Sequence, residues 1–217
     1  MSSSTLSFTS AIAPIRCGES ISDITNHFFS QLTDNEKLRL LDGDDPFYPT
    51  LAAETALGYS NSVYVFGAIP RLFLPGIRFT DGPYGVTVIT GKPATVFPVS
   101  TAGGSTWDFD LEEAVGIAIG KEVRVEGCNL YGGVCINLPR HPAWGRIQET
   151  YFEDPLLLGY FGAALTRGIQ KNVMAYIKHF AVNSMENSRF RVDVKCEDDA
   201  LHEVYLSHFK SVVETGF

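Results

Sequence analysis

Short apolar runs, each followed by a longer amphipathic pattern, recur along most of this chain, and that alternation limits the fold more than any other feature. Leu72 to Thr80 reads as a turn into a strand that runs into Asp81-Gly82-Pro83, and a second strand is expected near Thr95 to Pro98. A helix from Asp110, with Glu113 three residues on, places Leu111, Ala114, Val115, Ala118, Ile119 and Val123 on one face before Gly127 ends it. A third strand is expected from Asn129 to Leu138. Asp154 and Pro155 then supply an N-cap and a first-turn proline for a helix that buries Leu157, Phe161, Ala164, Leu165 and Gly168. Val173 to Lys178 reads as a fourth strand, and a last helix from about Asp198 aligns Leu201, Val204, Tyr205, Phe209 and Val212. Strand, loop and helix repeating at this spacing predict an α/β fold with a parallel sheet, either doubly wound or a (β/α) barrel.

The segment ahead of this repeat reads differently. Up to about Asn26 it is rich in Ser and Thr with little periodicity, which predicts a lead-in arm. Thr33-Asp34-Asn35-Glu36 is a capping box that starts a short helix ending at Gly43. Pro46, Pro49 and Pro70 mark an irregular stretch between 44 and 70. The expected organisation is residues 1–43 as arm and capped helix and residues 71–217 as βα units.

A chain of 217 residues, 45% hydrophobic, has enough apolar side chains for one sizeable core. Its formal charge of -8, without a block of like charge, argues against a surface that tracks nucleic-acid phosphates. The N-terminus lacks a basic region followed by a long apolar run, and no stretch approaches the roughly 18 apolar residues of a membrane span. The expectation is therefore a cytoplasmic protein with no membrane partner. Cys17, Cys128, Cys135 and Cys196 lack the C-x-x-C spacing of zinc or redox sites and are expected as buried free thiols. A metal-dependent hydrolase built on His141 and His179 has no H-E-x-x-H or comparable spacing behind it.

Four ordered segments carry a resemblance: Arg78 to Val86 (R-F-T-D-G-P-Y-G-V), Ala94 to Pro98, Gly145-Arg146 through Glu153-Asp154-Pro155, and Lys178-His179-Phe180-Ala181-Val182-Asn183. Together they resemble the family 3 glycoside hydrolases, and the Lys178 to Asn183 segment is closest to the β-glucosidase branch. The resemblance implies a partial TIM-type (β/α) barrel, roughly its first half, with functional residues at the C-terminal strand ends. It implies that Asp81, Arg146, Lys178 and His179 line the subsite for a non-reducing terminal sugar, with Glu186 and Arg189 bracing the pocket loop. Thr87 stands where the family usually carries Arg, and Ile147-Gln148 where it carries Asn-Phe.

The side chains themselves suit that role. An ionised Asp81 accepts sugar hydroxyls through short charge-assisted bonds, although Asp before Gly-Pro is also a common turn initiator. Arg146 and Lys178 donate to sugar oxygens, and Glu149, Glu153 and Asp154 are candidates to hold the guanidinium. His179 follows Lys178, so both reach one pocket only if the backbone bends there.

By resemblance the activity is hydrolysis of terminal non-reducing β-D-glucosyl residues with retention, which needs two carboxyl groups about 5 to 5.5 Å apart. The family's nucleophile segment and acid/base have no counterpart in these residues, so no catalytic residue is assigned and the chain alone is expected to be inactive. Its expected partners are a β-glucoside or oligosaccharide, the remainder of the barrel and a second domain, with no nucleic acid, metal or cofactor. An open half-barrel also predicts exposed strand edges that associate. The alternative is a non-catalytic sugar-binding or regulatory module.

Overall fold

The computed structural model describes residues 5–41, 63–87 and 92–216. They form two compact units, Met1–Phe79 and Thr80–Phe217.

In the first unit the expected arm is helical. Helix α1 (Phe8–Arg16) is capped by a reciprocal Ser7/Ser10 box, and α2 (Ile21–Ser30) is capped by Ser20. Serine supplies local backbone partners here, where a composition reading takes it for loop. The Thr33/Glu36 box does start α3 (Asp34–Arg39), while Gly43 and most of the proline-rich stretch lie outside the described residues. A short antiparallel pair follows, β1 (Tyr64–Phe66) with β2 (Ile77–Thr80), in register Tyr64 to Phe79 and Phe66 to Ile77. Leu32, Ile69 and Leu72, with Phe28, Leu40 and Leu74 around them, make the unit's small core. The Arg71 guanidinium forks onto Glu36 at 2.7 and 2.6 Å and ties α3 to the turn after β1.

The second unit holds the βα pattern. The expected strand near Thr95 to Pro98 is not a strand. Thr95 N–H and Oγ1–H donate to the Glu122 carboxylate, and Phe97 N–H donates to the Tyr84 carbonyl, so the segment is strapped down as a loop. After a short α4 (Ser100–Gly104), α5 (Phe109–Val125) begins at Asp108, whose side chain accepts from Leu111 N–H. Strand β3 (Leu130–Cys135), helix α6 (Pro155–Gln170) and strand β4 (Met174–Lys178) form a parallel β-α-β unit. Residues 131–135 of β3 are buried throughout, as expected of a strand covered on both faces.

Glycine decides how closely the layers approach. The expected apolar face of α5 is only partly right: Leu111 is 46% exposed, while Gly116 and Gly120 are buried against α6. A Cβ on Gly168 of α6 would sit 2.8 Å from Ile117 N and 2.9 Å from Gly116 Cα, both backbone atoms that cannot swing away. Gly168→Ala is therefore expected to lose about 1–3 kcal/mol to overpacking, more than the roughly 1 kcal/mol of helix propensity it gains. Urea unfolding measures this, and a stabilised variant would mean the helices do not cross so closely.

The expected last helix is broken in two. Asp198–Ala200 leads into a π-turn over Leu201–Tyr205, where Leu206 N–H reaches back to the Leu201 carbonyl, and α7 (Ser207–Thr215) follows. Of the predicted face only Phe209 and Val212 are buried. Strand β4 pairs with β3, and on its other side Tyr176 and Phe180 are 51% and 73% exposed beside a cavity of about 650 Å³ reaching α7.

Of the four cysteines, all free, only Cys128 and Cys135 are buried, whereas Cys17 is exposed and Cys196 partly exposed. Among the described residues no helix is long and apolar enough to cross a membrane, and no group of three His, Cys, Asp or Glu side chains could hold a metal.

Candidate functional site

The ends of β2, β3 and β4 deliver the candidate residues, and in each case the local backbone explains where the side chain lands. Asp81 follows β2 and pairs as an isolated bridge with Thr87, whose N–H donates to the Asp81 carbonyl at 2.9 Å. Between them the loop turns through Gly82 (φ 124°) and Gly85 (φ 131°), conformations that side chains rarely adopt. The space is closed too, since a Cβ on either glycine would collide with a backbone carbonyl, Gly85 O and Thr95 O respectively. The buried Tyr131 hydroxyl donates to the Gly82 carbonyl and pins the loop to β3.

Strand β3 carries an irregularity that sets the register of the site. Tyr131 pairs with Ala175 but Val134 pairs with Ile177, so one extra residue is taken up at Gly132-Gly133. Only glycine fits at 133, because the Tyr131 ring folds over the position a Cβ would take. The shift brings Cys135 opposite Lys178 and continues the pairing with Ile136 N–H donating to the Lys178 carbonyl at 3.0 Å.

Lys178 is only 5% exposed and its ammonium donates to Asp81 Oδ1, which also accepts from Gly82 N–H at 2.8 Å. One carboxylate oxygen thus takes both donors. Arg146 lies on the segment between β3 and α6, in front of a single 3₁₀ turn (Ile147–Glu149) that brings Glu149 back under it. Nε and Nη2 donate to the two carboxylate oxygens at 2.9 and 2.6 Å, a bidentate pair that fixes the guanidinium plane and raises its pKa further. Of the three acids considered for this role, Glu149 fills it, and Cys135 Sγ supports the same carboxylate from 3.5 Å. Burial pushes the Cys135 thiol up to about 12, so it stays protonated there.

His179 leaves β4 through a cis peptide bond with Lys178 and enters the same neighbourhood. Burial holds its imidazole down to about 4, and the positive charges of Arg146 and Lys178 add to the effect, so it is neutral at pH 7. Contacts link the four candidates: Lys178 holds Asp81, Cys135 lies opposite Lys178 and against Glu149, Glu149 holds Arg146, and His179 follows Lys178. Glu186 accepts from Arg189 at 3.2 Å and from Trp144 Nε1 at 3.5 Å, which ties the loop after β4 to the loop after β3. His141, the other half of the metal reading, uses Nδ1 to accept from Ala143 N–H at 3.0 Å.

Two members of the network are visible only in three dimensions. Asn137, two residues past β3, bonds His179 through both ends of its carboxamide, and Thr150 Oγ1 donates to the Asn137 carbonyl at 2.7 Å. A polar residue in the apolar run Cys135-Ile136-Asn137-Leu138, at a C-terminal strand end, was the available signal for Asn137.

A half-buried carboxylate, two cations with fixed direction and a neutral imidazole can together hold a neutral, hydroxyl-rich ligand, each hydroxyl being both donor and acceptor. A 148-residue stretch is 42% identical to a probable β-glucosidase H of Aspergillus flavus, covering 66% of this chain and 18% of that protein. A probable β-glucosidase H of Neosartorya fischeri is 35% identical over 191 residues, 86% of this chain and 21% of the relative. Among solved structures, β-glucosidase 3B from Thermotoga neapolitana in complex with α-D-glucose superposes with a TM-score of 0.77 at 32% identity, covering 88% of this chain and 28% of that one. A β-glucosidase from Kluyveromyces marxianus in complex with glucose gives 0.75 at 30% identity, covering 88% and 21%. The α/β fold is that of the TIM-type N-terminal domain in these neighbours, and the chain spans about a fifth to a quarter of their length. A profile described as the glycosyl hydrolase family 3 N terminal domain matches residues 68–217, and the chain belongs to that family.

Proposed function

We propose that this chain binds the terminal, non-reducing glucosyl residue of a β-glucoside and is part of a longer retaining β-glucosidase. The observation that carries this reading is the convergence of Asp81, Arg146, Lys178 and His179 at strand ends, with the ion-pair partners Lys178 and Glu149 keeping Asp81 and Arg146 in fixed orientation. Glu186 and Arg189 brace the neighbouring loop.

The three carboxylates described at this site are each engaged by a cation and do not suit covalent catalysis. Retention needs one carboxylate to attack the anomeric carbon and a second group to protonate the leaving oxygen. Asp81 is held by an ammonium, Glu149 by a guanidinium on both oxygens and Glu186 by Arg189. Each is therefore assigned to binding or support, and the reacting pair to the remainder of a longer enzyme that completes the barrel. No cofactor enters this chemistry.

Titration of the 217-residue chain with glucose, followed by tryptophan fluorescence, tests the reading, since Trp144 bonds to Glu186 beside the site. A saturable change is expected, weakened at least about tenfold, or ~1.4 kcal/mol, by Arg146→Met. No nitrophenol should be released from an aryl β-glucoside. A chain that ignores glucose, or binds it equally well without Arg146, would sink the assignment.

A further inference from the structure

Behind His179 lies a contact that decides which ring nitrogen faces outward. The Asn137 side chain, in a residue only 3% exposed, meets residue 179 at three points. Its Nδ2 donates to the His179 carbonyl at 2.9 Å, and its Oδ1 accepts from the His179 backbone N–H at 2.8 Å. The same Oδ1 lies 3.0 Å from His179 Nδ1.

The two backbone contacts fix the orientation of the carboxamide. Turned over, it would set its NH₂ against a backbone N–H and its oxygen against a carbonyl, two repulsions in place of two bonds. With Oδ1 placed by the backbone, the ring nitrogen beside it must carry hydrogen, because an unprotonated Nδ1 would face an oxygen lone pair at hydrogen-bond distance. The amide oxygen has two acceptor positions, and the backbone N–H and the ring N–H fill both.

We infer that Asn137 is a positioning residue that holds His179 with its proton on Nδ1, leaving Nε2 as an unprotonated acceptor toward the ligand. Among the described residues the ring's hydrogen-bond contact is at Nδ1. Lys178 and Arg146 can only donate to a ligand, so an accepting Nε2 gives the site a second acceptor beside Asp81. The group it takes is a hydroxyl that donates its hydrogen, and a fluorine or an ether oxygen at that place would accept only. This assignment rests on the reading of His179 as sugar-facing, which the test below separates from it.

Long-range ¹H–¹⁵N spectra of the histidine-labelled chain at pH 8 read the tautomer directly. His179→Gln identifies the His179 signals by their loss. The wild-type ring is expected to show a pyrrole-type Nδ1 and a pyridine-type Nε2. In Asn137→Ala the proton is expected to move wholly or partly to Nε2, the tautomer an unassisted histidine prefers in water. Asn137→Asp keeps an acceptor opposite Nδ1 and is expected to keep the wild-type pattern, which a general loosening of the loop would not do. A wild-type ring protonated on Nε2, or an Asn137→Ala ring unchanged, overturns the inference. If Asn137→Ala disturbs the His208 and His141 signals and so reports misfolding, the wild type and Asn137→Asp decide. Glucose added to the wild type should shift Nε2; a correct tautomer that glucose leaves unmoved would sink the sugar reading and spare the role of Asn137.

Discussion

Asp81→Ala is expected to destabilise the chain by about 3 kcal/mol as well as abolish glucose binding, and the two losses can be separated. Removing one partner of a buried ion pair leaves the other charge unpaired, at a typical cost of about 3–5 kcal/mol. Lys178 is 5% exposed and Asp81 takes its ammonium, so the stranded group is the more buried of the two; the partial exposure of the Asp81 side chain, 18%, places the effect at the low end. The double variant Asp81→Leu/Lys178→Met replaces the pair by apolar groups of similar size and should recover most of the stability, because such a pair gains little net energy over well-packed apolar side chains. Glucose binding should stay lost in it. Unfolding midpoints and a glucose titration of the same two proteins give the answer. A double variant that still binds glucose would reduce Asp81 to the turn initiator that its Asp-Gly-Pro context also allows.

The sequence was most legible where one local rule settles the structure. Thr33/Glu36 and Asp154-Pro155 start helices because the groups that satisfy the first backbone N–H groups are adjacent in the chain. Strands β3 and β4 are visible as apolar runs. Three failures have equally specific causes. Ser7 with Ser10 caps α1 in a stretch read as a lead-in arm, in a box without the usual Glu or Gln, and Pro14 sits inside that helix. Thr95 to Pro98 is apolar enough for a strand, but its donors are taken by Glu122 and Tyr84. The π-turn at Leu201–Tyr205 breaks the regular 3.6-residue period, so Leu201, Val204 and Tyr205 do not share the buried face of Phe209 and Val212.

The candidate site divides in the same way. Asp81, Arg146, Lys178 and His179 could be named because each sits at or beyond a strand end in a recognisable segment. Which residues hold them was only partly legible. The contact of Asn137 with His179 spans 42 residues of chain. It depends on a register that shifts at Gly132-Gly133, and a hydrophobic pattern carries no mark of such a shift. Glu149 was one of three acids near Arg146, and only the 3₁₀ turn between them selects it.

Acid is expected to weaken this chain from about pH 6.5 downward, and two histidines set where. His208 is 1% exposed between α7 and its neighbours, and neither ring nitrogen makes a hydrogen bond of good geometry. Burial lowers its pKa to about 4, which the nearby backbone of Val204 and Ile136 offsets only in part. His179 is lowered to about 4 by burial and by Arg146 and Lys178. A folded-state pKa below the unfolded value of about 6.5 means that the unfolded chain binds protons first. Stability is therefore complete above about pH 6.5 and declines as pH falls toward 4. The 2.5-unit gap between about 6.5 and about 4 amounts to ~3 kcal/mol for His208 and less for His179, a half-buried residue. Urea unfolding from pH 7.5 to 4.5 should show the decline. His208→Leu should flatten most of it, and at pH 7.5 should be at least as stable as wild type, because two buried nitrogens without good hydrogen bonds are removed at similar volume. His179→Gln should flatten a smaller part and also weaken glucose binding, which His208→Leu leaves intact. Stability curves of wild type and His208→Leu that run parallel would show that water or protein groups reach the His208 ring, contrary to the packing around it.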